Sequence, residues 1–289
     1  AMDELDAGAV REGEAAGSPP TRRRFAFVIP LFDHGRTVRE VVEQARSLGF
    51  PVFVVDDGST DGGAGSLEGL DGVTVLRHPI NRGKGAALCT GFAAAADVAD
   101  WAITVDADGQ HDPRQATELI AAIRDGERPL VVGRREGMDL PDIPWKSRFG
   151  RKFSNFWVRA SGGHAGLDTQ TGFRIYPLPE TLELGARSNR FQFEVEVLVL
   201  ARRHGIPAVE VPVRVTYSPP GGRVTHYRPW IDFWRNSAVF GRFITARVLG
   251  LGRHAAVRWW LLALTVAALG GAALLARARL HIEPDIAAS

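Results

Sequence analysis

The chain has 289 residues, 45% hydrophobic and 24% charged, with a formal charge of +2. That balance excludes disordered, collagen-like and disulfide-scaffolded proteins as overall classes and supplies enough apolar side chains for a large core. The one cysteine, Cys89, has no intrachain partner and apolar neighbours, so it reads as a buried thiol in a reducing compartment.

Residues 1–24 carry Asp3, Glu4, Asp6, Glu12 and Glu14 and close near Pro19-Pro20, which predicts a disordered acidic tail with no apolar signal core. From Phe25 short apolar runs alternate with helical patterns. FAFVIP (25–30) is a predicted strand, TVREVVEQARSL (37–48) a helix with Val38, Val41, Val42 and Ala45 on one face, PVFVVDD (51–57) a strand and VTVLRH (73–78) another. An alanine-rich helix follows at 83–98, a strand at 101–108 ending in acids, a helix at 113–126 with proline in its first turn, and a strand at 129–133. The alternation predicts an α/β domain over 25–217, a mostly parallel sheet covered by helices, whose ligands bind beyond the carboxyl ends of the strands.

Charged clusters stand at those ends. In DADGQH (106–111) an extended backbone puts Asp106 and Asp108 on one side, where two carboxylates approach one hard cation, with Gln110 and His111 as neutral ligand candidates. VVDDGSTDG (54–62) sets Asp56 and Asp57 directly after a strand, suited to hydrogen bonds from a ribose or base edge; Ser59, Thr60 and Asp61 also fit a turn capping the next helix. HPINRGKGAAL (78–88) places Lys84 between two glycines at a helix start, which suits phosphate and equally suits simple helix initiation.

Together these blocks resemble the family 2 glycosyltransferases, in particular the dolichyl-phosphate mannose synthases and bactoprenol glucosyltransferases. FVIPLFDHG, VVDDGSTDG, NRGKGAAL, VDADGQHDP, VVGRRE, DTQTGFRIY and RFQFEVEVL stand in the family's order across about 25–217. The resemblance implies the nucleotide-diphospho-sugar transferase fold called GT-A, inverting displacement and a divalent metal. It puts Pro30, Asp56 and Asp57 in the nucleoside pocket with Lys84 beside it, and Asp106, Asp108 and Gln110 around Mg²⁺ or Mn²⁺ against the donor diphosphate, Asp108 being the residue on which turnover depends. Arg135 and Arg148 would contact donor diphosphate or acceptor phosphate. A lipid phosphate acceptor needs no general base; for a hydroxyl acceptor, Glu194 or Glu196 is the candidate. Pro30-Leu31-Phe32-Asp33-His34 departs from the family's P-x-Y-N-E, and the T-E-D and Q-x-x-R-W blocks of processive synthases are absent, which points to transfer of a single sugar.

From Arg214 to Arg258 there are eight arginines and one acid, Asp232. Residues 218–256 are expected to form a basic amphipathic region in the headgroup plane, with Arg214, Arg223 and Arg228 bringing a lipid phosphate to the sugar. Residues 257–280 are expected to span the membrane once: the uncharged stretch 259–276 reaches about 27 Å as a helix, and 281–289 is a short tail. More arginines before the span than after it place the catalytic part on the cytoplasmic side. The expected partners are a UDP- or GDP-sugar, a lipid-linked acceptor and the membrane, with self-association left open; nucleic acid would account for the arginines but not for the acid-lined strand ends. Transfer to a hydroxyl of a lipid or glycan, and a catalytically silent nucleotide-sugar-binding membrane protein, are the alternatives.

Overall fold

The computed structural model describes residues 23–136, 155–164, 166–216 and 237–245. Strands β1 (Phe25–Leu31), β2 (Val52–Asp56), β3 (Val73–Arg77), β4 (Trp101–Thr104), β5 (Leu130–Arg135), β6 (Arg174–Pro177) and β7 (Ala208–Val213) form one sheet in the order β3-β2-β1-β4-β6-β5-β7. β6 runs antiparallel to β4 and β5, and every other pairing is parallel. The expected mostly parallel sheet is therefore present, with one reversed strand in its middle.

Strand pleat explains why both faces are covered. Along β1, Phe25, Phe27, Ile29 and Leu31 enter one core and Ala26 and Val28 the other; β2 divides Val52 and Val54 from Phe53, and β4 divides Trp101 and Ile103 from Ala102. A strand buried on both sides reads as a continuous apolar run, as these do. Helix α1 (Val38–Arg46) lays Val38, Val41, Val42 and Ala45 on the first core, as its spacing predicts, and α3 (Ala116–Ala121) adds Ala116 and Leu119. On the second core lie α2 (Lys84–Ala96), through Leu88, Phe92 and Ala95, and α6 (Gln192–Arg203), through Phe193, Val197 and Leu200. Short helices α4 (155–160) and α5 (Glu180–Glu183) complete the layer.

Two expected elements are shorter. The strand through 108 stops at Thr104, where its registers with β1 and β6 both end; beyond it Asp108 accepts the Gln110 N–H at 3.0 Å and Gly109 takes a φ of 73°, so 105–112 forms a turn-rich loop. The helix expected over 113–126 is a 3₁₀ turn, Pro113–Gln115, capped by Asp112, followed by α3 alone.

The C-terminal helix α7 (237–245) differs from expectation in its surroundings. Phe240 and Phe243 are buried in the second core, Phe240 stacks on Trp157 at 6.2 Å, and the Arg242 guanidinium pairs with Glu196. Over these residues the apolar side covers protein and Arg242 meets the buried carboxylate of Glu196. Among the described residues no helix is long and apolar enough to cross a membrane; the rest of 218–256 and the 257–280 segment lie outside them.

Candidate active site

The sheet order reverses between β1 and β4: the chain runs outward from β1 to β2 and β3, then returns to place β4 on the other side of β1. Such a switch point opens a crevice at the carboxyl ends of those strands. The loops after β1 and β4 meet there, with the Thr37 hydroxyl donating to the Ala107 carbonyl at 2.5 Å. Pro30 lies past Val28, the last rung that β1 shares with β4, so its missing N–H leaves no bond unmade on that side.

The loop after β2 is tied to the loop after β1. Asp56 accepts the Ser59 N–H at 2.9 Å, Asp33 accepts that of Thr60 at 2.7 Å from a left-handed φ of 50°, and Asp61 accepts those of Gly35 and Gly63. The Ser59–Asp61 residues thus serve the turn. Asp57 is buried and accepts from Arg82 N at 2.9 Å and Gly83 N at 2.6 Å, and its Oδ1 lies 2.7 Å from His78 Nδ1. Its carboxylate organises the turn into α2, and Asp56 and Asp57 do have separate partners.

The start of α2 is tied to the chain itself. The Arg82 and Gly83 N–H groups are taken by Asp57 and the Ala86 N–H by the Asn189 carbonyl at 3.0 Å, while a Cβ on Gly83 would fall 2.4 Å from that same oxygen. Lys84 turns inward: its Nζ stands 2.6 Å from Asp106 Oδ1 and 3.0 Å from Glu194 Oε1. Burial works against the ammonium, but the two carboxylates outweigh it and raise its pKa. Burial likewise opposes ionisation of Asp106, yet Lys84 holds its carboxyl below the ordinary range.

Asp108 has the opposite balance, since burial and then the charge of Asp106 push its carboxyl up. Two carboxylates that resist joint ionisation, followed by the buried Gln110, are a donor set suited to a hard cation, which would relieve that repulsion. Among the described residues no group of three or more His, Cys, Asp or Glu is placed to hold a metal. A site of one or two carboxylates and an amide oxygen nonetheless fits a divalent ion that completes its shell with substrate phosphate oxygens. Gly172 belongs to this site as well: a Cβ there would lie 2.4 Å from Asp106 Oδ2. His111 is buried against Phe173, with no hydrogen-bond partner for Nδ1 among the described residues, and burial lowers its pKa to about 4, so it stays neutral.

Glu196 is not available as a base. Its Oε2 accepts the Arg187 and Ser188 N–H groups at 3.1 and 2.8 Å and its Oε1 meets Arg242, because α6 turns it away from the cleft toward α7. Glu194 lies in the first turn of α6, buried, with burial raising its pKa and Lys84 and Arg174 opposing the rise. Arg174, fully buried in β6, donates to the carbonyls of Thr171, Glu194 and Thr169 and so fixes this end of α6 to the 169–171 loop. Arg135 forms a two-pronged pair with Asp168, and Arg214 is exposed with its backbone held by Gln115, two residues before Thr216, whose N–H donates to the Gln110 carbonyl at 2.9 Å. Arg148, Arg223 and Arg228 lie outside the described residues. Cys89 is partly buried, and burial together with the Glu196 charge pushes its thiol up to about 11, which agrees with an unreactive thiol.

An acid-lined crevice at the switch point of a mostly parallel sheet defines a GT-A-like nucleotide-sugar transferase fold. The profile of Glycosyl transferase family 2 matches residues 26–177, and the chain belongs to that family. It is 26% identical to the UDP-N-acetylglucosamine–dolichyl-phosphate N-acetylglucosaminyltransferase of Methanococcus voltae, over 66% of this chain and 85% of that one. It is 28% identical to the polyprenol monophosphomannose synthase of Mycolicibacterium smegmatis, over 71% and 83%. The glucosyl-3-phosphoglycerate synthase of Mycobacterium tuberculosis, solved with Mg²⁺ and uridine diphosphate, superposes with a TM-score of 0.57 at 20% identity over 80% of this chain and 81% of that one, a likeness of fold.

Proposed function

We propose that this glycosyltransferase moves a single sugar, with inversion, from a nucleoside-diphosphate donor to a polyprenyl phosphate, using Mg²⁺ or Mn²⁺ held by Asp106, Asp108 and Gln110. The observation that carries the reading is the Asp106–Asp108 pair at the switch point, where burial and mutual repulsion resist two negative charges that a cation would balance. Relatives named for dolichyl-phosphate and polyprenol substrates support the acceptor class, and the fold neighbour holding Mg²⁺ with uridine diphosphate supports the metal. The bound ion would supply neutralisation of the charge that grows on the leaving diphosphate.

The chain's own residues do the rest. Asp56 borders the nucleoside side of the crevice, and Asp57 holds the turn of 82–83 behind it. An acceptor phosphate is already anionic, so its oxygen attacks the anomeric carbon as the carbon–oxygen bond to the diphosphate breaks on the opposite face, with no proton to remove. That requirement agrees with Glu194 and Glu196, both engaged by cations. Arg214, Arg223 and Arg228 gather the lipid phosphate, Arg148 and Arg135 border the phosphates, and 257–280 anchors the enzyme with its catalytic part on the cytoplasmic side.

Labelled UDP- and GDP-sugars offered with polyprenyl phosphate, or with a hydroxyl-bearing lipid or glycan, test the reading. Metal-dependent labelling of polyprenyl phosphate with inverted anomeric configuration is expected. Labelling of the hydroxyl acceptors alone would overturn the acceptor assignment, and turnover unaffected by chelator would overturn the metal.

A further inference from the structure

Lys84 has two carboxylate neighbours in unlike surroundings. Asp106, at 2.6 Å, has a side chain 32% exposed, whereas Glu194, at 3.0 Å, is 6% exposed; the lysine side chain itself is 13% exposed. The ammonium therefore bridges a carboxylate that opens on the crevice and one that does not. The Asp106 carboxylate, which would hold a divalent ion, already meets at Oδ1 a cation that belongs to the chain. The α6 backbone that carries Glu194 is anchored, since Arg174 donates to the Glu194 and Thr169 carbonyls and Glu196, two residues on, is held by Arg187, Ser188 and Arg242.

We infer that Lys84 is a resident counter-cation for Asp106, which it yields to the divalent metal while Glu194 retains its charge. The inference rests on the reading of Asp106 and Asp108 as metal ligands. In the donor-free protein the ammonium makes the metal compete for its first carboxylate; Glu194, as a positioning residue, draws the ammonium toward the core and so lessens that competition. Metal alone then binds weakly, and the donor diphosphate, bringing its own charge, tips the exchange.

The two residues should therefore move metal affinity in opposite directions. Replacing Glu194 by an amide leaves the whole charge of Lys84 on Asp106, which weakens metal binding. Removing both Lys84 and Glu194 charges frees Asp106 without stranding a lone ion in the core, because the Asp106 side chain keeps 32% exposure. A role confined to holding the fold would lower metal affinity in both variants.

The full-length protein in detergent, without nucleotide, is titrated with Mn²⁺ and the free ion is read by its electron paramagnetic resonance signal. Lys84→Met/Glu194→Gln is expected to bind Mn²⁺ on the order of tenfold tighter than the parent, and Glu194→Gln several-fold weaker. A double variant that binds no tighter, or a Glu194→Gln protein that binds no weaker, overturns the inference. Asp108→Asn separates the two levels: if it binds Mn²⁺ as the parent does, the metal assignment falls and the inference with it, whereas loss of binding in Asp108→Asn with an unchanged double variant overturns the counter-cation role alone.

Discussion

Arg135 and Asp168 form a two-pronged ion pair, Nε to Oδ2 at 2.8 Å and Nη2 to Oδ1 at 2.9 Å, with Asp168 also accepting the Arg135 N–H. The guanidinium expected to face phosphate thus already has a carboxylate partner, and it fixes the end of β5 to the loop that leads to β6. Burial opposes the Asp168 charge, but the hydrogen bonds and charge of Arg135 prevail and hold its carboxyl below the ordinary range. Its contribution is therefore complete above the unfolded value of about 4 and disappears as pH falls through the lower folded value. Asp168→Asn should cost about 3 kcal/mol at neutral pH by removing the charge that the Arg135 guanidinium meets. Urea unfolding should show the gap from the parent narrowing as pH falls below the unfolded value of about 4; an unchanged gap would remove the ion pair from the account.

Asp108→Asn should abolish turnover and leave the thermal midpoint equal to or above that of the parent. Because burial and Asp106 raise the folded pKa of Asp108, its ionised form costs stability at neutral pH, and an amide removes that cost. Paired activity and calorimetry check this; a large drop in midpoint would mean that the carboxylate supports the fold.

Gly91, inside α2, faces β1 so closely that a Cβ would lie 2.3 Å from Val28 Cγ1 and 3.2 Å from Val55 Cγ2. Alanine would gain about 1 kcal/mol of helix propensity, but overpacking against a rigid β-branched side chain costs about 1–3 kcal/mol. Gly91→Ala should therefore destabilise, and a rise in midpoint on thermal unfolding would contradict this contact.

Much of this was legible in the sequence where one local period governs. Val38, Val41, Val42 and Ala45 announced the buried side of α1, and the apolar runs of β1 and β2 announced strands covered on both faces. Asp106 and Asp108 stand out in the sequence because an apolar run and an acid pair after it are both local signals. The glycines around Lys84 describe a helix start, whereas its ion pairs with Asp106 and Glu194 join it to residues farther along the chain that no local pattern marks. Residues 192–201 are buried all round, so α6 offers no polar face to mark its period. Arg174 breaks the apolar pattern of β6, and only the three carbonyls it reaches explain a guanidinium inside a sheet.

Asp57→Ala should act first on stability. It strips the acceptor from the buried Gly83 N–H, at about 1–3 kcal/mol, and from the part-buried Arg82 N–H at less, and leaves His78 Nδ1 without its carboxylate. Donor affinity should fall with it as the 82–83 turn loosens. Denaturant unfolding alongside nucleotide binding checks the order of effects; weakened donor binding at unchanged stability would make Asp57 a direct donor contact.

The C-terminal segment should separate into a part that completes the fold and a part that holds the membrane. A chain ending at Asn236 removes Phe240 and Phe243 from the core, forfeiting about 1.5–3 kcal/mol for each, and leaves the Glu196 Oε1 without Arg242. It should aggregate or unfold early. A chain ending at Arg258 keeps α7 and the arginines but lacks the uncharged 259–276 stretch. That protein should unfold cooperatively and bind donor as the parent does. It should leave neutral vesicles, bind anionic vesicles in a manner that salt abolishes, and transfer sugar to long-chain polyprenyl phosphate more slowly than the parent. Vesicle sedimentation across a salt series reads both terms. Undiminished attachment to neutral vesicles would move the anchor upstream of Trp259, and full-length protein that stays monodisperse without detergent would remove the spanning segment.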